Sequence, residues 1–300
     1  MTDDWFSGFE SQRHQLDGVG IHARTGGLRG APPLLLLHGF PQTHVMWHRV
    51  AQQLATEFEL VLPDLRGYGD SDKPPGATDH ANYSKRAMAA DLAALMRQLG
   101  HPRYAVCGHD RGARVAHRLA LDQPDEVTRL CLIDIAPTLD MYAATDQRFA
   151  SAYYHWFHLI QPHPLPEKMI GGCARDYLHA KLGGWGAAGL MNIEPQALAE
   201  YERCFCDPAA IHAACEDYRA SAGIDLEHDR ASRAVQQQIV CDLLVLWGEK
   251  GVIEKLFDPM ALWRAQCAGQ VEGHRMPAGH FIPEALPTQT SDHLRRFLSV

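Results

Sequence analysis

The 300-residue chain has no excess of basic charge: Lys and Arg number 28 against 36 Asp and Glu, a net charge of −8. That balance leaves no electrostatic footprint for DNA, RNA or an anionic membrane surface, so neither nucleic acid nor membrane is an expected partner. An anionic ligand would have to be drawn in by a local cluster of cations. Long apolar runs are missing too. Two long stretches free of Asp, Glu, Lys and Arg, residues 30–47 and 149–166, are broken by Pro, His and Gln, which a lipid-spanning helix rarely carries. The chain starts Met1-Thr2-Asp3-Asp4, acidic and leading into no apolar core, so no secretory signal is expected. Eight cysteines form no CxxC pair and no disulfide framework. They are expected to be reduced and mostly buried thiols of a cytoplasmic protein. Eighteen histidines include no HExxH and no Cys/His group at zinc spacing, so no metal is expected.

What is present is a set of short apolar runs separated by helical patterns. Leu34-Leu35-Leu36-Leu37, Leu60-Val61-Leu62, Tyr104-Ala105-Val106-Cys107, Leu130-Cys131-Leu132-Ile133 and Leu243-Leu244-Val245-Leu246 have the nearly continuous apolarity of strands covered on both faces. Met88, Leu92, Leu95, Met96 and Leu99 form an amphipathic stripe that Ser84 is placed to cap. Residues 111–121 and 294–298 give further helical pieces. Alternation of this kind predicts an open α/β fold, a mostly parallel sheet flanked by helices. Between about residues 140 and 238 the strand runs stop, and an aromatic-rich pattern of short helices takes their place. The expected organisation is a core of residues 1–139 and 239–300, with residues 140–238 forming a helical cap inserted after the sixth strand. Such a cap would cover the carboxyl edge of the sheet, where open α/β folds bind ligands.

Gly108-His109-Asp110-Arg111-Gly112 follows one strand and opens a helix. It has the form of the α/β-hydrolase nucleophile elbow, with Asp where esterases place Ser. A carboxylate is ionised at pH 7 and needs no base to attack an sp³ carbon. The ester so formed must then be hydrolysed, and that step needs a base and oxyanion donors. His280, just past the last strand pattern (Val271 to Met276), is placed to deprotonate the water. Asp134, directly after Ile133, would orient His280. A competing acid position follows Leu246-Trp247-Gly248, where the chain offers Glu249. His38-Gly39-Phe40-Pro41 forms the expected oxyanion loop, with the N–H groups of Phe40 and Arg111 as donors.

The stretches LLLLHGFPQTHVMW (from Leu34), DLRGYGDS (from Asp64), GHDRGAR (from Gly108), Tyr154-His155-Trp156, CEDYR (from Cys215) and Gly279-His280-Phe281 together resemble the haloacetate dehalogenases of the α/β-hydrolase superfamily, and among them the fluoroacetate-cleaving ones. HGFP and DLRGYGDS occur superfamily-wide; Arg111, Arg114 and His155-Trp156 are the specific part. The resemblance implies hydrolysis of a haloacetate to glycolate and halide, no cofactor, a small haloacid as the partner molecule and a homodimer. It further implies that His155, Trp156 and Tyr218 receive the halide. Arg111 and Arg114 would hold the carboxylate, since a haloacetate approaching Asp110 meets about 1–4 kcal/mol of repulsion at ~4 Å. Forked guanidinium groups on one helix face suit that task. Trp185 lines the pocket or packs the core. The rivals are an epoxide hydrolase of the same fold and a dehalogenase that prefers chloro- or bromoacetate and defluorinates poorly.

Overall fold

A computed structural model describes residues 5–187 and 189–299; residues 1–4, read above for a secretory signal, lie outside them. The strands are β1 (Phe9–Leu16), β2 (Val19–Gly27), β3 (Pro33–Leu37), β4 (Glu59–Pro63), β5 (Tyr104–His109), β6 (Val127–Ile133), β7 (Asp242–Gly248) and β8 (Val271–Met276). They form one sheet in the order β1-β2-β4-β3-β5-β6-β7-β8. From β4 through β8 neighbours pair in parallel, while β1–β2 and β2–β4 are antiparallel. All the apolar runs identified in the sequence are strands of this sheet, and Leu34 to Leu37 are wholly buried. The antiparallel hairpin β1–β2 was not anticipated. Its outer strand, FESQRHQL, is a mostly exposed edge with no apolar run to announce it.

Helices α1 (His48–Leu54), α2 (Lys85–Gln98) and α3 (Arg111–Asp122) alternate with the strands. The Ser84 hydroxyl accepts from the Ala87 N–H and starts α2, whose stripe buries Met88, Leu92, Leu95 and Met96. Between β6 and β7, the described residues contain only helices: α4 (Thr138–Ala143), α5 (Gln147–Ala152), α6 (Tyr154–His158), α7 (Leu165–Gly171), α8 (Ala174–Leu182), α9 (Pro195–Phe205), α10 (Pro208–Ala222) and α11 (Ile224–Ala234). Then come α12 (Val252–Leu256) and α13 (Pro259–Arg264) before β8, and α14 (Ile282–Ala285) and α15 (Pro287–Leu298) after it. No helix among the described residues is long and apolar enough to cross a membrane.

The DLRGYGDS loop is organised around one buried carboxylate. Asp64 accepts from the His44 and Asp70 N–H groups and from Nδ1 of His22 and His44. Distant histidines thus meet one acid, with four N–H donors on its oxygens. All eight cysteines are free, five of them buried.

Candidate active site

β5 runs into Asp110, whose φ of 48° and ψ of −117° lie in a region that non-glycine residues rarely occupy. Two close approaches hold it there. A Cβ on Gly112 would collide with the His38 carbonyl, and one on Gly39 would lie 2.5 Å from Cβ of Asp110. Because Leu37 is in register with Gly108, the loop after β3 stands beside the elbow. From that loop the Phe40 N–H donates to Asp110 Oδ1 at 2.9 Å. The Arg111 N–H, expected as its companion, has no acceptor among the described residues.

Asp134 follows β6 at a φ of 53° and accepts through Oδ1 from the Gly248 N–H at 2.9 Å. Its Oδ2 lies 2.5 Å from His280 Nδ1. The two candidates for the acid position are thereby separated: Asp134 and not Glu249 meets His280. Since an ionised carboxylate only accepts, Nδ1 carries the proton and Nε2 presents a lone pair. That Nε2 lies 3.7 Å from Asp110 Oδ2 and has no hydrogen-bond partner among the described residues. The imidazole therefore faces the carboxylate without being locked to it. The His280 N–H donates to the Trp185 carbonyl at 3.1 Å, and the His280 carbonyl accepts from His109 Nε2 at 2.9 Å.

The charges follow from these neighbours. Burial opposes ionisation of Asp110, but His280, His109, Arg111 and Arg114 outweigh it and hold its carboxyl below the ordinary range. Burial also opposes protonation of His280, yet the hydrogen bond and charge of Asp134, with Asp110 beyond, raise it. His109 goes the other way, pushed by burial and by His280 to about 3, and stays neutral.

The structure distinguishes the two arginines that sequence left equivalent. Both are buried. Arg111 is engaged by Asp217 of α10: Nε and Nη2 donate to its carboxylate at 3.0 and 2.6 Å, and Nη2 to its carbonyl at 2.9 Å. Nη1 reaches only the Ser221 hydroxyl, at 3.3 Å. Arg114 has no carboxylate bound to it among the described residues. It donates to the Ala136 carbonyl at 3.1 Å and the Thr138 hydroxyl at 2.8 Å, contacts Met141 Sδ at 3.2 Å, and leaves Nε unpartnered. Burial and the nearby Arg111 lower its proton affinity.

Facing these groups are side chains from the helices between β6 and β7. Rings of His155 and Tyr218 stand 6.0 and 5.4 Å from Phe40, and 5.5 Å from each other. Trp156 lies 6.4 Å from Tyr218, with the Arg114 guanidinium 4.7 Å over its ring. Trp185 sits 4.7 Å from His155 and 5.2 Å from His280, so it faces this group of side chains. Burial, followed by Lys181 and the other cations, holds His155 neutral. Nδ1 of His155 and the Tyr218 hydroxyl are buried without partners, as are His280 Nε2 and Arg114 Nε. Each such group costs about 1–3 kcal/mol unless a ligand or water satisfies it. Together with the Asp110 carboxylate, they give this part of the molecule four polar atoms that lack hydrogen-bond partners among the described residues.

Sequence reasoning missed the supports. Asp217 carries Arg111, the Tyr68 hydroxyl (2.6 Å) and Lys85 Nζ on one carboxylate, whose proton affinity those cations lower against the effect of burial. Tyr153, buried at 4% exposure, has its ring 5.4 Å from His155. No local pattern marks Asp217, because Tyr68, Lys85 and Arg111 all lie more than a hundred positions away.

The chain matches the alpha/beta hydrolase fold family over residues 32–284. It is 46% identical to the fluoroacetate dehalogenase of a Burkholderia species, across 98% of this chain and 95% of that protein. To the soluble epoxide hydrolase of Corynebacterium sp. (strain C12) it is 30% identical, across 97% and 98% respectively. The solved structure of ALR0039 from Nostoc sp PCC 7120 superposes with a TM-score of 0.95 at 52% identity, covering 98% of this chain and 99% of its own.

Proposed function

The chain belongs to the α/β-hydrolase family, and from that premise we propose that it is a haloacetate dehalogenase whose substrates include fluoroacetate. Support comes above all from one juxtaposition: an ionised elbow carboxylate beside a buried guanidinium, Arg114, that no acidic side chain engages. A small anion gives the unpartnered Nε of Arg114 a carboxylate to bind, whereas a neutral substrate offers it none.

In the proposed reaction Asp110 Oδ1 stays on the Phe40 N–H, so Oδ2 is the attacking oxygen. Oδ2 forms a bond to the methylene carbon as the carbon–halogen bond breaks, and the halide leaves with both electrons. Arg114, with Nη1 of Arg111, holds the carboxylate in line. His155, Trp156 and Tyr218 donate hydrogen bonds to the departing halide, an interaction that strengthens as charge develops. Water then adds to the Asp110 carbonyl carbon, giving its proton to His280 Nε2, while Oδ1 bears the oxyanion. Collapse breaks the bond between that carbon and Oδ2, which leaves as glycolate oxygen and takes the proton back. Asp134 holds the transient imidazolium. The scheme uses no cofactor. The family resemblance also carries a homodimer in the cytoplasm, which light scattering and cell fractionation check.

A second reading, epoxide hydrolysis, draws on the Corynebacterium relative and on Tyr153 and Tyr218, two buried phenols that could protonate a ring oxygen. Halide release from fluoro-, chloro- and bromoacetate, measured beside styrene oxide opening, separates the readings. Turnover of the epoxide alone would overturn the dehalogenase assignment, and chloride or bromide release with little fluoride would restrict it. One turnover in ¹⁸O water with excess enzyme should label Asp110 and yield unlabelled glycolate.

A further inference from the structure

α8 carries three basic side chains with different fates. Arg175 and His179 both pair with Glu202 of α9, at 3.2 and 2.7 Å. Lys181, only 4% exposed, has no ion pair or hydrogen bond among the described residues. Its Nζ lies 3.7 Å from the ring centre of Tyr154, 5.1 Å from that of Tyr177 and 5.6 Å from that of Trp185. Aromatic faces compensate a buried ammonium only in part, and they satisfy none of its hydrogen bonds to oxygen. Close by, both ring nitrogens of His158 and the Tyr177 hydroxyl are buried without hydrogen-bond partners among the described residues. The Tyr177 and His158 rings stand 6.3 Å apart.

The location gives these groups a purpose. Tyr154 is 48% exposed, whereas Trp185 touches His155 and His280 in the site described above. Lys181 thus bridges a surface ring and a pocket ring. On a chain of net charge −8, an approaching carboxylate is repelled at long range and needs a cation on its route. We infer that Lys181, with His158 and the Tyr177 hydroxyl, forms an outer subsite for small carboxylates, held between Tyr154 and Trp185 on the way to and from Arg114. The assignment rests on the haloacetate reading. Lysine suits a transit point, since a single ammonium grips less rigidly than a forked guanidinium.

A pH signature follows. Burial pushes the Lys181 ammonium down to about 8. The surrounding groups stay neutral there: burial pushes the Tyr154 and Tyr177 hydroxyls up and the His155 and His158 rings down. Carboxylate capture therefore weakens as pH rises through about 8.

Lys181→Met, Lys181→Gln and Lys181→Arg in the full chain test the subsite, with sodium glycolate binding followed by tryptophan fluorescence and chloroacetate turnover by chloride release. The Met and Gln variants should weaken glycolate binding and raise the chloroacetate KM about tenfold, with kcat within about twofold. They should also lose the decline in kcat/KM above pH 8. Arg should recover binding to within about threefold of wild type. Unchanged glycolate affinity and KM in both neutral variants would overturn the subsite, as would a loss confined to kcat. Should the wild type release halide from no haloacetate, the dehalogenase reading fails, while glycolate binding still decides the role of Lys181.

Discussion

Replacing Glu284 by Gln removes a carboxyl that burial lifts from 4.5 to about 7, against the opposing pull of Tyr201 and Arg49. Glu284 lies four residues past His280 and joins three parts of the molecule. It accepts from Gln42 Nε2 of the loop after β3 at 3.1 Å, from the Tyr201 hydroxyl of α9, and from Arg49 of α1 at 3.2 Å. A carboxyl with a raised folded-state pKa favours the protonated form, so its stabilisation is complete below the unfolded value. It is lost as pH climbs through the folded one. A rise of about 2.5 units at 1.36 kcal/mol each bounds the effect at about 3 kcal/mol between pH 4.5 and 7. Gln keeps the shape and an acceptor oxygen but cannot titrate. Urea midpoints at pH 5, 6, 7 and 8 should show wild type losing stability relative to Glu284→Gln as pH rises, by one to three kcal/mol (about) in total. Parallel pH profiles for the two proteins would refute the argument, because the comparison cancels every other titrating group.

Other outcomes follow from the same geometry. Asp110→Asn should abolish steady-state halide release while leaving the thermal midpoint within a few degrees; measurable turnover would remove Asp110 as nucleophile. Arg114→Met should raise the haloacetate KM at least about tenfold, read from initial rates. Arg111→Met should instead destabilise the fold by about 1–3 kcal/mol in urea titrations, because it takes one of two cations from the buried Asp217 and leaves it Lys85 and the Tyr68 hydroxyl. His280 must be unprotonated to act on water, so kcat should rise with pH through its raised pKa. Asp134→Asn should shift that limb to lower pH with a large loss of kcat. Trp156→Phe should slow fluoroacetate more than bromoacetate, because bromide relies less on hydrogen-bond donation; equal losses would separate Trp156 from the halide.

The legible parts of this molecule are those whose causes are local. Apolar runs such as Leu34 to Leu37 announce buried parallel strands because no neighbour is needed to explain them. Ser84 marks the start of α2 for the same reason. The elbow is readable because its strain demands small residues at fixed offsets around Asp110. The hairpin β1–β2 stayed hidden: an exposed edge strand looks like any polar segment. The pairing of Arg111 with Asp217 stayed hidden too, across 106 positions. Arg111 and Arg114 read alike on a helical wheel, and only the carboxylate brought in by α10 separates the engaged cation from the available one. Lys181 was silent for the complementary reason, since its feature is the lack of an acidic partner among the described residues, which only a folded chain displays.

The Asp217 junction also constrains how the protein breathes. It ties α10 to α3 through Arg111, to α2 through Lys85 and to the loop after β4 through Tyr68, all in a desolvated setting. Swinging the helical insertion away as a hinged lid would strand several charges at once. Passage to and from the site is then expected to run through rotamer changes of single side chains, and kcat measured at saturating substrate should be insensitive to solvent viscosity.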